Sequence, residues 1–223
     1  MADRYYKYNG KKLPSVTTIT GQLDKPALTY WAANCACDYI IENLDPHPES
    51  EYILKDLMPI IELARKNFRK VSSYALDTGS AVHATIEHYL KTGQEPQAPS
   101  DQALSAFMAF LEWLDTWDSW ETIKTEYTVY GDRYAGTTDW IVMLNTKKFI
   151  VDFKAAKGIY PEMAYQIAGY RATDSSIEGC GILRLDKETG KPEWKDTSDT
   201  YTQDLNIFNI LTDLWHARHP GYE

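Results

Sequence analysis

The sequence predicts a mixed α/β sandwich: a central sheet of mixed strand direction, flanked by helices and preceded by a helical elaboration. Three observations carry this expectation. Apolar residues recur at helical spacing through the first half of the chain, the period shortens to that of strands near residue 121, and a helix, a strand and a last helix follow the third strand. With 223 residues, of which 43% are hydrophobic and 25% charged, the chain is long enough to bury one substantial core. A single domain over residues 1–223 is expected, helical over about 1–120 and sheet-containing over about 121–223.

The run Val16-Thr17-Thr18-Ile19 is β-prone. After the turn-like Asp24-Lys25-Pro26, a helical pattern runs through Leu28, Trp31 and Ala32 and is closed by Pro46 and Pro48. A second helix is expected over 51–72. A third is expected over 78–91, entered through Asp77 or Thr78 and stopped near Gly93. Beyond the loop QEPQAPSD, residues 101–117 form an amphipathic helix rich in Phe107, Phe110, Leu111 and Leu114. Residues 125–130, 136–144 and 148–154 then read as a meander with tight turns at Gly131-Asp132 and Asn145-Thr146. The next helix accepts Pro161 in its first turn and sets Met163, Gln166 and Tyr170 on one side. A strand over 181–185, a hairpin-like turn at Glu188-Thr189-Gly190 and an amphipathic helix near 202–218 complete the pattern. There is no internal repeat.

No apolar run approaches the roughly 20 residues needed to span a bilayer, and the opening MADRYYKYNGKK lacks the apolar stretch of a signal peptide. A cytoplasmic protein with no membrane partner is expected. Its three cysteines, Cys35, Cys37 and Cys180, are too few for a four-thiolate iron–sulfur cluster and read as buried thiols rather than a disulfide framework. The net charge of -9 argues against coating nucleic acid through a general positive field, but is compatible with carboxylates gathered around metal ions. Locally the sign reverses at Arg65, Lys66, Arg69 and Lys70, whose i, i+4 spacing pairs them on a helix. This cluster is either a phosphate contact or a solvated helix face.

Chemistry concentrates in the second half. In Phe149-Ile150-Val151-Asp152-Phe153-Lys154 an apolar strand ends in two charged side chains on one face, because side chains alternate along a strand. Burying such charges costs several kcal/mol unless they pair or bind a metal, so either a structural ion pair or a site is implied. Asp139 interrupts the preceding apolar strand, and a short turn would let it converge with Asp152 in an oxygen-rich setting that suits Mg²⁺. Gly79, His83 and Glu87 share a helix face, as do Gln166 and Tyr170. For either set, packing within the fold is the alternative to a role in chemistry.

Taken together, GSAVHATIEHYL, YAGTTDWIV, FIVDFKA and YQIAGY, in that order over residues 79–170, resemble the RecB-like branch of the PD-(D/E)XK nuclease superfamily. The looser LPSVTTITGQLDKPALTYWA is similar to the N-terminal segment of exonucleases carried by bacterial viruses. The resemblance implies a restriction-endonuclease-like core with the mixed sheet described above. It implies metal ligation by His83, Asp139, Asp152 and the backbone carbonyl of Phe153, a catalytic Lys154, and supporting roles for Gln166 and Tyr170. Glu126 matches a less regular acidic position, and Glu87 is a second supporting acid. Relatives with a four-cysteine iron–sulfur cluster carry a pattern this chain lacks. The function expected is hydrolysis of DNA phosphodiester bonds with Mg²⁺ or Mn²⁺, first as an exonuclease in recombination, repair or viral DNA processing. The rival expectation is a non-cleaving nuclease fold that binds DNA, or mimics it to bind another protein.

Overall fold

A computed structural model describes residues 4–44, 47 and 50–222. In chain order its elements are β1 (Tyr5–Tyr8), β2 (Lys11–Pro14), α1 (Val16–Thr20), α2 (Pro26–Asn43), α3 (Leu54–Thr92) and α4 (Asp101–Leu114). The remainder are β3 (Trp120–Tyr130), β4 (Ala135–Leu144), β5 (Lys147–Lys154), α5 (Pro161–Arg171), β6 (Gly179–Leu185), β7 (Pro192–Asp196) and α6 (Tyr201–Arg218). Two compact units result. One takes the described residues of Met1–Leu23 and Gly79–Glu223, and the other takes those of Asp24–Thr78.

The first unit is built on a five-stranded mixed sheet in the order β3-β4-β5-β6-β7, flanked by helices. Only β5 and β6 run parallel, with α5 as the crossover between them. A parallel pair cannot be closed by a tight turn, so this crossover is obligatory. Alternation along the strands divides the core in two. Trp140, Val151 and Phe153 pack with Val82 and Ile86 of α3 and with Phe107, Phe110 and Trp113 of α4. Ile141, Ile150 and Ile182 pack with Val16 and Ile19 of α1, Ile167 of α5, and Phe208 and Trp215 of α6. Each fully buried large side chain stabilises the fold by about 1.5–3 kcal/mol.

Strands β3 to β6, α4, α5 and α6 fall where the pattern predicts, with ends shifted by a few residues, and the hairpin-like turn at Glu188-Thr189-Gly190 leads into the further strand β7. Three features differ. Val16 to Ile19 is helical: the Ser15 side chain caps α1 by accepting from the Thr18 amide at 2.9 Å, which outweighs the β propensity of Val, Thr and Ile. The helices expected over 51–72 and 78–91 are one continuous α3 of 39 residues. Asp77 and Thr78 do not cap it. The Thr78 hydroxyl donates back to the Tyr74 carbonyl at 2.9 Å, a bond available only inside a helix. The predicted stop does hold, with Gly93 in the left-handed conformation at φ +68° and its amide on the Tyr89 carbonyl. Finally, β1 and β2 form an antiparallel hairpin about Asn9-Gly10, both at positive φ. Pro46 and Pro48 lie outside the described residues.

Candidate metal centre and active site

β4 and β5 pair antiparallel with Trp140 opposite Val151. One step further along, Asp139 and Asp152 stand across from each other, and residues directly opposite in an antiparallel pair share a face. The Asp139 carboxylate is fixed by the Phe153 amide, which donates to its Oδ2 at 2.7 Å. Its Oδ1 lies 3.3 Å from Nδ1 of His83, delivered by α3. The His83 ring rests edge-on against Phe153, at 6.1 Å between centroids.

Glu126 completes this group. It lies in β3 between Thr125 and Tyr127, which pair with Trp140 and Thr138, so the same register sets it against Asp139. Its φ is +45°, a conformation that costs a non-glycine residue roughly 1–3 kcal/mol and persists only where the surroundings enforce it. One ligand atom from each of His83, Glu126 and Asp139 lies within 4.8 Å of the others. The three groups act on one another's charge. Burial and the neighbouring Asp139 push the Glu126 carboxyl up, the mark of like charges held together. Burial drags the His83 imidazole down, but Asp139 outweighs it and leaves it above its ordinary value. Asp139 is held below its ordinary value: burial opposes this, and His83, Lys154 and the Phe153 amide overcome it. Two carboxylates and one imidazole, with no thiolate, make a donor set that could hold a divalent metal ion.

Asp152 has different partners. It is 2% exposed, its Oδ2 is ion-paired with the Lys154 ammonium, and its Oδ1 accepts from Gln166 Nε2 at 3.2 Å. The same Nε2 donates to the Tyr170 hydroxyl at 3.2 Å, as an amide group with two hydrogens can. Gln166 thus bridges Asp152 and Tyr170. Burial pushes the Asp152 carboxyl up to about 6; Lys154 opposes this and the charge on Asp139 adds to it. Burial pulls the Lys154 ammonium down, and Asp152 with Asp139 more than restores it. Tyr170 reaches the site because Gly136 leaves room: a Cβ there would stand 2.4 Å from its ring.

The structure therefore brings His83, Glu126, Asp139, Asp152, Phe153, Lys154, Gln166 and Tyr170 into one neighbourhood. Glu87 stands at its margin, ion-paired with Lys91 and close enough to act on the charge of Glu126. Arg65, Lys66, Arg69 and Lys70 are exposed on the part of α3 that belongs to the other unit. Arg65 Nη1 lies 3.3 Å from Glu62 Oε1. Two residues of the amino-terminal hairpin region went unread in the sequence. The charge of Arg4 acts on Glu126, and the Tyr6 hydroxyl lies 3.0 Å from Thr137 Oγ1, two residues before Asp139. The Asn9-Gly10 turn was the signal that could have revealed the hairpin.

No helix among the described residues is long and apolar enough to cross a membrane. No protein-family model matches the chain, and no curated protein matches it. Among solved structures, the chain is similar to SSO0001, at a TM-score of 0.34 and 14% identity over 82% of this chain and 86% of that one. It is also similar to an alkaline exonuclease (LHK-Exo) from Laribacter hongkongensis, at a TM-score of 0.33 and 8% identity over 84% of this chain and 93% of that one.

Proposed function

We propose that this chain is a DNA nuclease that uses Mg²⁺ or Mn²⁺ to hydrolyse phosphodiester bonds. The observation that carries the reading is one neighbourhood holding both a three-donor oxygen and nitrogen cluster, half-buried at His83 and Asp139 and exposed at Glu126, and a lysine ammonium. His83, Glu126 and Asp139 would hold the ion, with Asp152 and the Phe153 carbonyl as further oxygen donors beside it. When bound, the ion acidifies water and offsets charge building at phosphorus.

Hydrolysis joins a water oxygen to phosphorus and breaks the bond to the departing sugar oxygen, while the water gives up a proton to solvent and the departing oxygen takes one from solvent to leave as a hydroxyl. The diester is anionic and gains charge on its equatorial oxygens as this happens. Lys154 answers that need: its ammonium donates to a non-bridging oxygen, or to the attacking water, from a position fixed by Asp152. Gln166 and Tyr170 keep Asp152 in place, so they are positioning residues. Phe153 and Phe110 exclude water from the inner side and strengthen each of these interactions.

A plasmid in circular and linear form, incubated with Mg²⁺, Mn²⁺ or excess EDTA, tests the proposal. Cleavage with either metal and none in EDTA is the expected result. Loss of the linear form alone identifies an exonuclease. Full cleavage in EDTA overturns the metal requirement, and a folded protein that cleaves neither form favours the non-cleaving binder. Nuclease action also proposes DNA as the partner and the cytoplasm as the place of work.

A further inference from the structure

The helical unit of Asp24–Thr78 contains an apolar helix that is covered on one side only. Of the 18 residues of α2, Asp38 and Glu42 alone are charged. A helix that is apolar on more than one side is ordinarily buried on each of them, whereas a solvated face is ordinarily charged. One side of α2 is met by α3: Asn67 Nδ2 donates to the Cys35 carbonyl at 3.0 Å, and Cys35 and Ala64 are the buried apolar side chains among the described residues of this unit. Another side is open. Tyr30 is 74% exposed and Ile41 is 71% exposed, and Ala27, Asn34 and Cys37 are exposed with them.

These five positions are spaced by three, four, three and four residues, the interval that keeps a row of side chains against a partner helix. The row fits a second copy of itself. Laid antiparallel about a twofold axis midway between Tyr30 and Ile41, α2 sets Tyr30 of each copy opposite Ile41 of the other. Asn34 and Cys37, both shorter, then face each other twice at the centre and let the two helices approach closely. The charges agree with this direction. Asp38 and Glu42 of one helix come alongside the half of the other that begins at Lys25, next to the positive end of its dipole. A parallel pair would instead gather all four acids at the two negative ends.

We propose that this chain associates with a second copy of itself through α2, as an antiparallel twofold pair whose seam is Ala27, Tyr30, Asn34, Cys37 and Ile41. The inference is independent of the nuclease reading, since none of these residues belongs to the candidate centre. Nucleic acid and lipid surfaces suit the face poorly, because both present phosphates and α2 offers two carboxylates with no lysine or arginine from Pro26 to Asn43. The rest of the unit is similarly rich in uncovered apolar surface: eleven of its large apolar side chains are between 37% and 74% exposed, against ten in the rest of the described chain. A seam of two heptads is short, so the pair belongs with the smaller interfaces, below about 1,200 Å² in total, and its dissociation constant should be micromolar, about 1 to 100 μM.

Sedimentation velocity of the whole chain over about 1 to 200 μM should show a monomer passing to a dimer as concentration rises. Tyr30→Lys and Ile41→Glu alter exposed positions, so both variants should melt like the parent, and each should raise the dissociation constant about tenfold or more. An equimolar mixture of the two should regain association that neither has alone, because one layer of the mixed pair keeps Tyr30 against Ile41 and the other sets the introduced cation against the introduced anion. Cys37 is the exposed thiol of the three cysteines, and its labelling by a maleimide should slow as the dimer forms. A parent that stays monomeric throughout overturns the proposal, as does one that binds anionic vesicles or DNA through this face in place of its own copy. Variants that associate as well as the parent, a mixture no better than its components, or a Cys37 labelled equally fast in the dimer would each place the seam elsewhere and overturn it too.

Discussion

His83, Asp139 and Lys154 divide the work of the proposed centre, and single substitutions should separate their roles. Asp139→Asn keeps the shape but removes charge from the cluster of three donors, so metal affinity by calorimetric titration should fall about 10- to 100-fold, taking cleavage with it. Lys154→Ala should leave metal affinity within a few-fold of the parent, while single-turnover cleavage falls about 10²- to 10³-fold. Near-parental cleavage by Lys154→Ala would remove the lysine from the mechanism. Gly136 gives a third handle, because a methyl group there meets the Tyr170 ring. Gly136→Ala should destabilise the fold by about 1–3 kcal/mol, as overpacked sites do, and perturb the Gln166 bridge to Asp152. A melting temperature equal to the parent's would show that the ring has room to yield. At this scale the sequence was informative where alternation applies: Asp152 and Lys154 share a face because they stand two positions apart on one strand. Glu126 was legible only through resemblance, because its positive φ breaks alternation and nothing in the residue type announces it.

Among the elements, α3 shows what local signals cannot decide. Asp77 and Thr78 are good capping residues, and a break there was a sound reading. Continuity of the i, i+4 backbone ladder nevertheless prevails, with the Thr78 hydroxyl absorbed into it. The second residue of the hairpin turn, Gly10, was equally visible but lay outside the segments the periodicity emphasised. Parallel pairing of β5 with β6 was implied by the intervening helix. The strand β7, by contrast, carries Pro192 at its edge and was seen only as the far side of a turn. The basic stretch of α3 yields an element-scale prediction. Replacing Arg65, Lys66, Arg69 and Lys70 by neutral residues should weaken DNA binding and flatten the slope of log affinity against log salt by up to about three, with metal binding unchanged. An unchanged slope would make the cluster a solvated face.

For the molecule as a whole, acid stability should report a pair that is not part of the centre. Lys148 Nζ lies 2.9 Å from Asp174 Oδ2. Its hydrogen bond, with that of the Ser176 hydroxyl, lowers the Asp174 carboxyl to about 2 from an ordinary 3.8. A carboxyl lowered by folding contributes stability that is present above the ordinary value and is lost as pH falls through the folded one. Asp174→Asn should therefore be slightly less stable than the parent at neutral pH, and the two should converge as pH drops from about 4 to about 2. Chemical denaturation at a series of pH values measures this, and a gap that persists at pH 2 would assign the loss to packing. The effect is small because the Asp174 side chain is 39% exposed and solvent screens the pair.

The single parallel pairing in the sheet also sets an order in time. β3, β4 and β5 join neighbours through short turns, whereas β6 can pair with β5 only after α5 has closed a crossover between them. Loop closure of that length slows pairing, so the meander should form first. The Phe153 amide would then meet Asp139 early, and the centre would acquire its carboxylate opposition before Gln166 arrives to secure Asp152. Pulse-labelled hydrogen exchange during refolding should protect the Phe153 amide ahead of the Ile182 and Leu183 amides, and simultaneous protection would show the sheet assembling as one step. On this schedule a newly made chain passes through an interval in which its charged centre is formed in part and α5 has yet to bring Gln166 and Tyr170 to it. A divalent ion arriving in that interval would act as a folding ligand before it ever served a reaction.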